Sequence, residues 1–197
     1  MVTIPPMDQS ESEEQELDED GLVIQKYDST VLVVLPAKGF GEQILRYARS
    51  SLYNVHVGTY SVCTVTDELI EGRLQDEFMV DGPLSEASME SYSGILVAGS
   101  EGASGLAQDP QVLALVKAAH ADGKLVAGWG DAVEVLAQAG VVKGSRVTGA
   151  ATYKGLVEQQ GGKYSGREIQ ASGNIITARD EGAGMRFGQA LAERVRI

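Results

Sequence analysis

The chain has 197 residues, of which 43% are hydrophobic and 22% charged, and a formal net charge of −12. That length suits one α/β domain able to bury roughly 70% of its extended-chain surface, and the negative balance argues against nonspecific binding to nucleic acid or anionic membranes. A single cysteine, Cys63, excludes an internal disulfide framework and a cysteine-rich zinc site, and no run approaches the eighteen or so apolar residues of a membrane span.

The negative charge is concentrated at the start. Eight acidic residues lie between Asp8 and Asp20, and the first basic residue is Lys26. The segment is poor in aromatics and cannot bury enough apolar surface to offset its ordering entropy, so residues 1–28 are expected to form an acidic, flexible tail. It acts either as a solubilising segment or as an arm for a basic partner. It has neither the basic start nor the apolar run of a signal peptide, so a cytoplasmic setting is expected.

The domain proper is expected over residues 29–197. Residues 31–35 form a short β-branched run, the pattern of a strand buried on both faces. Pro36 and Gly39 punctuate it, residues 42–52 read as a helix, and 54–65 alternate as a second strand. Residues 69–80 suggest a hairpin. Residues 95–98 form another buried strand closed by Gly99. Asp109-Pro110 opens a helix with an Asp cap and a Pro at the first helical position, and this helix stops near Gly123. Residues 125–127 read as a buried strand and 131–139 as a helix ended by Gly140. Residues 147–148 are expected as a strand and 153–160 as a helix. Residues 168–171 and 174–177 pair across Ser172-Gly173, and the final helix covers 184–195. Strands and helices alternate, which implies a mostly parallel sheet with helices on both faces.

In such a sheet, ligands sit beyond the carboxyl ends of the strands. Residues 36–42, 98–101 and 128–131 are the strand ends of interest. The third passes from strand to helix with almost no loop, the kind of corner that holds a strained nucleophile at a helix start.

These segments, in this order, resemble the ThiJ/PfpI superfamily within the class I glutamine amidotransferase-like fold. The resemblance is carried by residues 31–40, 95–99, 109–113, 123–127, 136–144, 146–148, 161–164, 173–179 and 187–191. It implies a flavodoxin-like three-layer sandwich and a homo-oligomer, a dimer or larger. It also implies an elbow reading Ala-Ala-Ile-Cys-His-Gly-Pro, with the Cys as nucleophile, and a Glu after the first strand. In this chain the Cys position falls on Gly130, the His position on Asp131 and the Glu position on Gly41. Glycine carries no atom able to attack a carbonyl, so the family's covalent chemistry is absent at that corner. The expectation is a pseudoenzyme with a binding, assembly or regulatory role and a vestigial pocket formed by Gly41, Glu42, Gly99, Ser100, Glu101, Trp129, Gly130 and Asp131. No catalytic residue, metal or cofactor is expected.

The alternative is an enzyme of divergent chemistry, a hydrolase or lyase, with Glu42, Glu101 and Asp131 as acid–base groups or metal ligands. A plainer role for Glu42 and Asp131 is to cap helices and compensate their dipoles. Ser100 stands in a segment similar to the family's oxyanion-hole loop, and no histidine near it in sequence supports a serine mechanism. Cys63 is read as a packed or modestly reactive thiol, His56 as a strand residue, and His120 as a charge at a helix end. Trp129 is expected to fill the space left by the missing Cys and His.

Overall fold

The computed structural model describes residues 26–65 and 69–195. The acidic run of residues 8–20 and its expected basic partner lie outside the described residues. The last part of the expected tail is packed on the domain: Tyr27 stacks on Tyr53 at 5.5 Å, and the Asp28 N–H donates to the His56 carbonyl at 2.9 Å.

In chain order the elements are β1 (Ser29–Leu35), β2 (Lys38–Phe40), α1 (Glu42–Tyr53), β3 (Val57–Cys63), β4 (Leu69–Gly72), β5 (Glu77–Met79), β6 (Gly82–Pro83) and β7 (Gly94–Val97). They continue with α2 (Ala103–Leu106), α3 (Pro110–Ala121), β8 (Leu125–Trp129), α4 (Ala132–Gln138), β9 (Arg146–Val147) and α5 (Lys154–Gln159). The last are β10 (Lys163–Tyr164), β11 (Ile169–Ser172), β12 (Ile175–Ala178) and α6 (Gly184–Val195). The central sheet has seven strands in the order β11-β12-β8-β7-β1-β3-β6. Every neighbouring pair is parallel except β11 with β12.

The pleat of β1 shows why this sheet needs cover on both faces. Leu32 and Val34 point into one core with α3, α4 and α5, whereas Val31, Val33 and Leu35 point into a second with α1 and α6. The start of α3 follows from its first residues: Asp109 Oδ1 accepts from the N–H groups of Gln111 and Val112 at 2.8 and 3.1 Å, and Pro110 takes the first helical position.

The structure revises several expected boundaries. The second strand begins at Val57 rather than at residue 54, because Asn54 closes α1 and His56 turns the chain with φ +58°. His56 is therefore an exposed turn residue and not a strand residue. The hairpin of β4 and β5, with Leu69 opposite Met79, forms a separate small sheet with β2, a strand the sequence pattern did not reveal.

Candidate functional site

The carboxyl ends of β8 and β12 and the loop after β7 open into a crevice of about 540 Å³. Its walls include Ser100, Glu101, Trp129, Gly130 and Asp131, joined by Arg73, Arg179, Asp180 and Glu181. At its floor the strand ends meet backbone to backbone, and a Cβ on Gly99 would stand 1.6 Å from the Trp129 carbonyl oxygen. Only glycine permits that approach.

Gly130 turns the chain from β8 into α4 at φ +55°. Its N–H donates to the Ala178 carbonyl and its own carbonyl accepts from the Ala150 N–H, both at 3.0 Å. The nearest atom to a Cβ placed there would be the Ser100 nitrogen, 4.0 Å away. The elbow thus keeps its bend and leaves open the space beside Gly130 where a nucleophile's side chain would stand.

Ser100 faces this space with a backbone φ of +112°, a region that non-glycine residues rarely adopt. Its hydroxyl donates to Glu181 Oε1 at 2.6 Å, and Glu181 Oε2 accepts from Arg73 Nη2 at 2.8 Å. Glu181 occupies a revealing place. A Cβ on Gly41 would lie 2.6 Å from its Oε1. Glu181, carried by the segment after β12, thus fills the volume beside Gly41.

Four carboxylates and two guanidiniums line the crevice. Arg179 pairs with Asp180 at 2.8 Å and Arg73 with Glu181, so Glu101 and Asp131 are left without an ion pair among the described residues. Asp131 stands at the N-cap of α4, but its side chain makes no capping bond there, so the plain capping role does not hold for it. Burial, then the charges of Glu134 and Glu101, push its carboxyl above the usual range. Between the unfolded value of about 3.9 and this raised folded value, the folded state holds the extra proton, so stability falls as pH rises through that window. Asp131→Asn is expected to melt above the parent at pH 7, by less than about 1 kcal/mol because solvent screens a partly exposed group. The difference should close near pH 4 in a pH series of thermal melts, and a constant offset would contradict the assignment.

Glu42 does not join the crevice. It is 6% exposed and absent from the crevice lining, and its Oε1 accepts from the Leu74 N–H, a donor supplied by the hairpin turn. The expected set of Glu42, Glu101 and Asp131 is therefore split, and among the described residues no group of three or more His, Cys, Asp or Glu is placed to hold a metal ion. Trp129 is 1% exposed and meets Phe187 edge-on at 6.0 Å, so its ring belongs to the core beneath the crevice. Cys63 ends β3 opposite Leu35, also 1% exposed, and does not line the crevice. His120 sits in the last turn of α3.

The sequence reading missed Arg73, Arg179, Asp180 and Glu181. A signal existed for the last three: β12 is a parallel neighbour of β8, so residues 179–182 follow a strand end of the same kind as 98–101. Arg73 arrives from the hairpin turn, for which no comparable rule exists.

Comparison with known proteins agrees with this architecture. Residues 29–194 match the DJ-1/PfpI family. A deglycase from Thermococcus kodakarensis is 23% identical over 155 residues, covering 77% of this chain and 90% of that protein. Among solved structures, a ThiJ/PfpI domain protein from Brachyspira murdochii superposes with a TM-score of 0.81 at 21% identity, covering 87% of this chain and 98% of the other. DJ-1beta from Drosophila melanogaster gives 0.76 at 21% identity, with 85% and 94% covered.

Proposed function

This chain belongs to the DJ-1/PfpI family, and we propose that it is a noncatalytic member, a pseudoenzyme that uses the crevice to bind a small polar ligand. The observation that carries this reading is Gly130: the elbow is bent at φ +55° with no side chain in the open space beside it. On the family resemblance, the family's covalent chemistry would need a thiol there. The chain's one thiol, Cys63, is packed at the end of β3. The unpaired acids Glu101 and Asp131 disfavour anions, so a cation or a neutral ligand rich in hydrogen-bond donors suits the site. Homo-oligomerisation belongs to the same proposal, and the exposed Leu69, Leu74 and Met79 on and beside the small sheet support it. A cytoplasmic setting is also proposed, supported by the lack of any cysteine pair.

The test is incubation with a glyoxal, a peptide and a glutamine analogue. No turnover above a heat-killed control is expected. Activity lost on changing Ser100 to Ala would overturn the proposal.

A second reading, a hydrolase of divergent chemistry, is favoured by one observation: the strained φ of Ser100 combined with its 2.6 Å bond to Glu181. Here the Ser100 hydroxyl oxygen would bond to a substrate acyl carbon while Glu181 takes its proton. The carbonyl π pair would move to oxygen and return to expel the leaving group, which receives that proton, and water would then release the acyl group from Ser100. Arg73 opposes this, because its ion pair already engages the other oxygen of the carboxylate and would be disturbed by proton transfer. A fluorophosphonate probe separates the two readings. The noncatalytic protein stays unlabelled, whereas the hydrolase would be labelled in its native form and not as Ser100→Ala.

A further inference from the structure

A second cavity, of about 350 Å³, lies between α1 and the β4–β5 hairpin. Residues 42, 45, 46, 49, 50 and 53 present one face of α1 to it, the spacing of a helical stripe. Its apolar walls are Phe40, Leu45, Tyr53 and Phe78, with Phe40 and Phe78 edge-on at 5.8 Å.

Glu42 is the unusual member of the lining. It is a 6% exposed carboxylate in the first turn of α1, where the helix dipole favours negative charge. One oxygen accepts from the Leu74 N–H, while Oε2 is buried and accepts no hydrogen bond. A buried acceptor left without a donor is costly, so a donor belongs in the space beside it.

The cations of the lining are engaged elsewhere. Arg46 pairs with Asp76 at the exposed rim at 3.1 Å. Arg49 donates to Tyr53 Oη and Thr59 Oγ1, and its guanidinium lies over the rings of Tyr53 and Phe78 at 5.6 and 5.1 Å. Glu77, on the hairpin side, adds a further negative charge to the lining.

From these observations we infer that the cavity is a binding site for a small organic amine, with its ammonium donating to the Glu42 carboxylate and its apolar or aromatic body against Phe40, Leu45 and Phe78. The site is separate from the elbow crevice, and the inference does not rest on the noncatalytic reading of that crevice.

Phenethylamine is the probe, compared with phenethyl alcohol and phenylacetate by ligand-observed NMR titration of the full chain. The amine should bind at least about tenfold more tightly than either, as expected of a charge-assisted bond the other two cannot make. Glu42→Gln should lose about tenfold, Phe78→Ala about threefold or more, and Gly105→Ala, which lines neither cavity, should bind as the parent does. A circular dichroism melt checks the fold of each variant. If Glu42→Gln does not fold, Phe78→Ala and the alcohol comparison still decide. Equal binding of amine and alcohol, undiminished binding in the Phe78 variant or in a folded Glu42 variant, loss on changing Gly105, or no binding of the amine would overturn the inference.

Discussion

Gly99→Ala is expected to cost about 3 kcal/mol or more of folding stability, enough to threaten a domain of ordinary marginal stability. The added methyl would stand 1.6 Å from the Trp129 carbonyl oxygen, 2.7 Å from its carbonyl carbon and 3.2 Å from the Ala132 nitrogen. All of these are backbone atoms at the β8–α4 elbow, so no rotamer change can relieve the contact. The strand ends would have to separate, disturbing a junction that also holds the fully buried Trp129 against Phe187. Gly105→Ala is the matched control. It lies in α2, a Cβ there meets nothing within 4 Å, and its effect should be neutral or favourable by up to about 1 kcal/mol. Urea unfolding of both variants makes the comparison. A Gly99 variant within about 0.5 kcal/mol of the parent would mean that β7 and β8 do not meet as described.

A glutamate introduced at position 41 should harm the protein unless Glu181 is removed. The backbone at Gly41 has φ −79° and ψ 104°, which any residue can adopt, so its glycine is not required by conformation. What excludes a side chain is Glu181, whose Oε1, carboxyl carbon and Cγ would lie 2.6, 2.7 and 2.9 Å from the new Cβ. Gly41→Glu displaces that side chain from Ser100 and Arg73 and brings two carboxylates together, a loss of about 2 kcal/mol. Glu181→Gly alone forfeits the same two bonds, about 1–2 kcal/mol. In the double variant the new carboxylate enters from position 41 into vacated space. Its cost should fall short of the sum by about 1–2 kcal/mol in a double-mutant cycle. Strict additivity would show that the two positions do not share one volume.

The cycle also marks where sequence reading succeeds and where it stops. The buried strand at 31–35 and the Asp109-Pro110 helix start were legible because each is set by residues adjacent in the chain. The corner at 128–131 was legible because a strand running straight into a helix leaves a local trace. Glu181 left none in relation to its partners: it is 81 positions from Ser100 and 108 from Arg73, and they meet only through the strand order β12-β8-β7 together with the β4–β5 hairpin. The direction of Glu42 was also hidden. A carboxylate after a strand end was expected to face the crevice, but the hairpin turn offers it the Leu74 N–H instead. Likewise, the positive φ of Ser100 cannot be read from a residue type that ordinarily avoids it.

The flanks of the central sheet bear on how the protein avoids aggregation. On one side the last strand is β6, two residues long, and Pro83 lies opposite Cys63 without an amide hydrogen to offer an incoming chain. On the other side β11 is four residues long, and its Ser172 hydroxyl already accepts from the Arg146 N–H. Neither β6 nor β11 is a long strand, so an incoming chain that pairs with either of them finds only a short template.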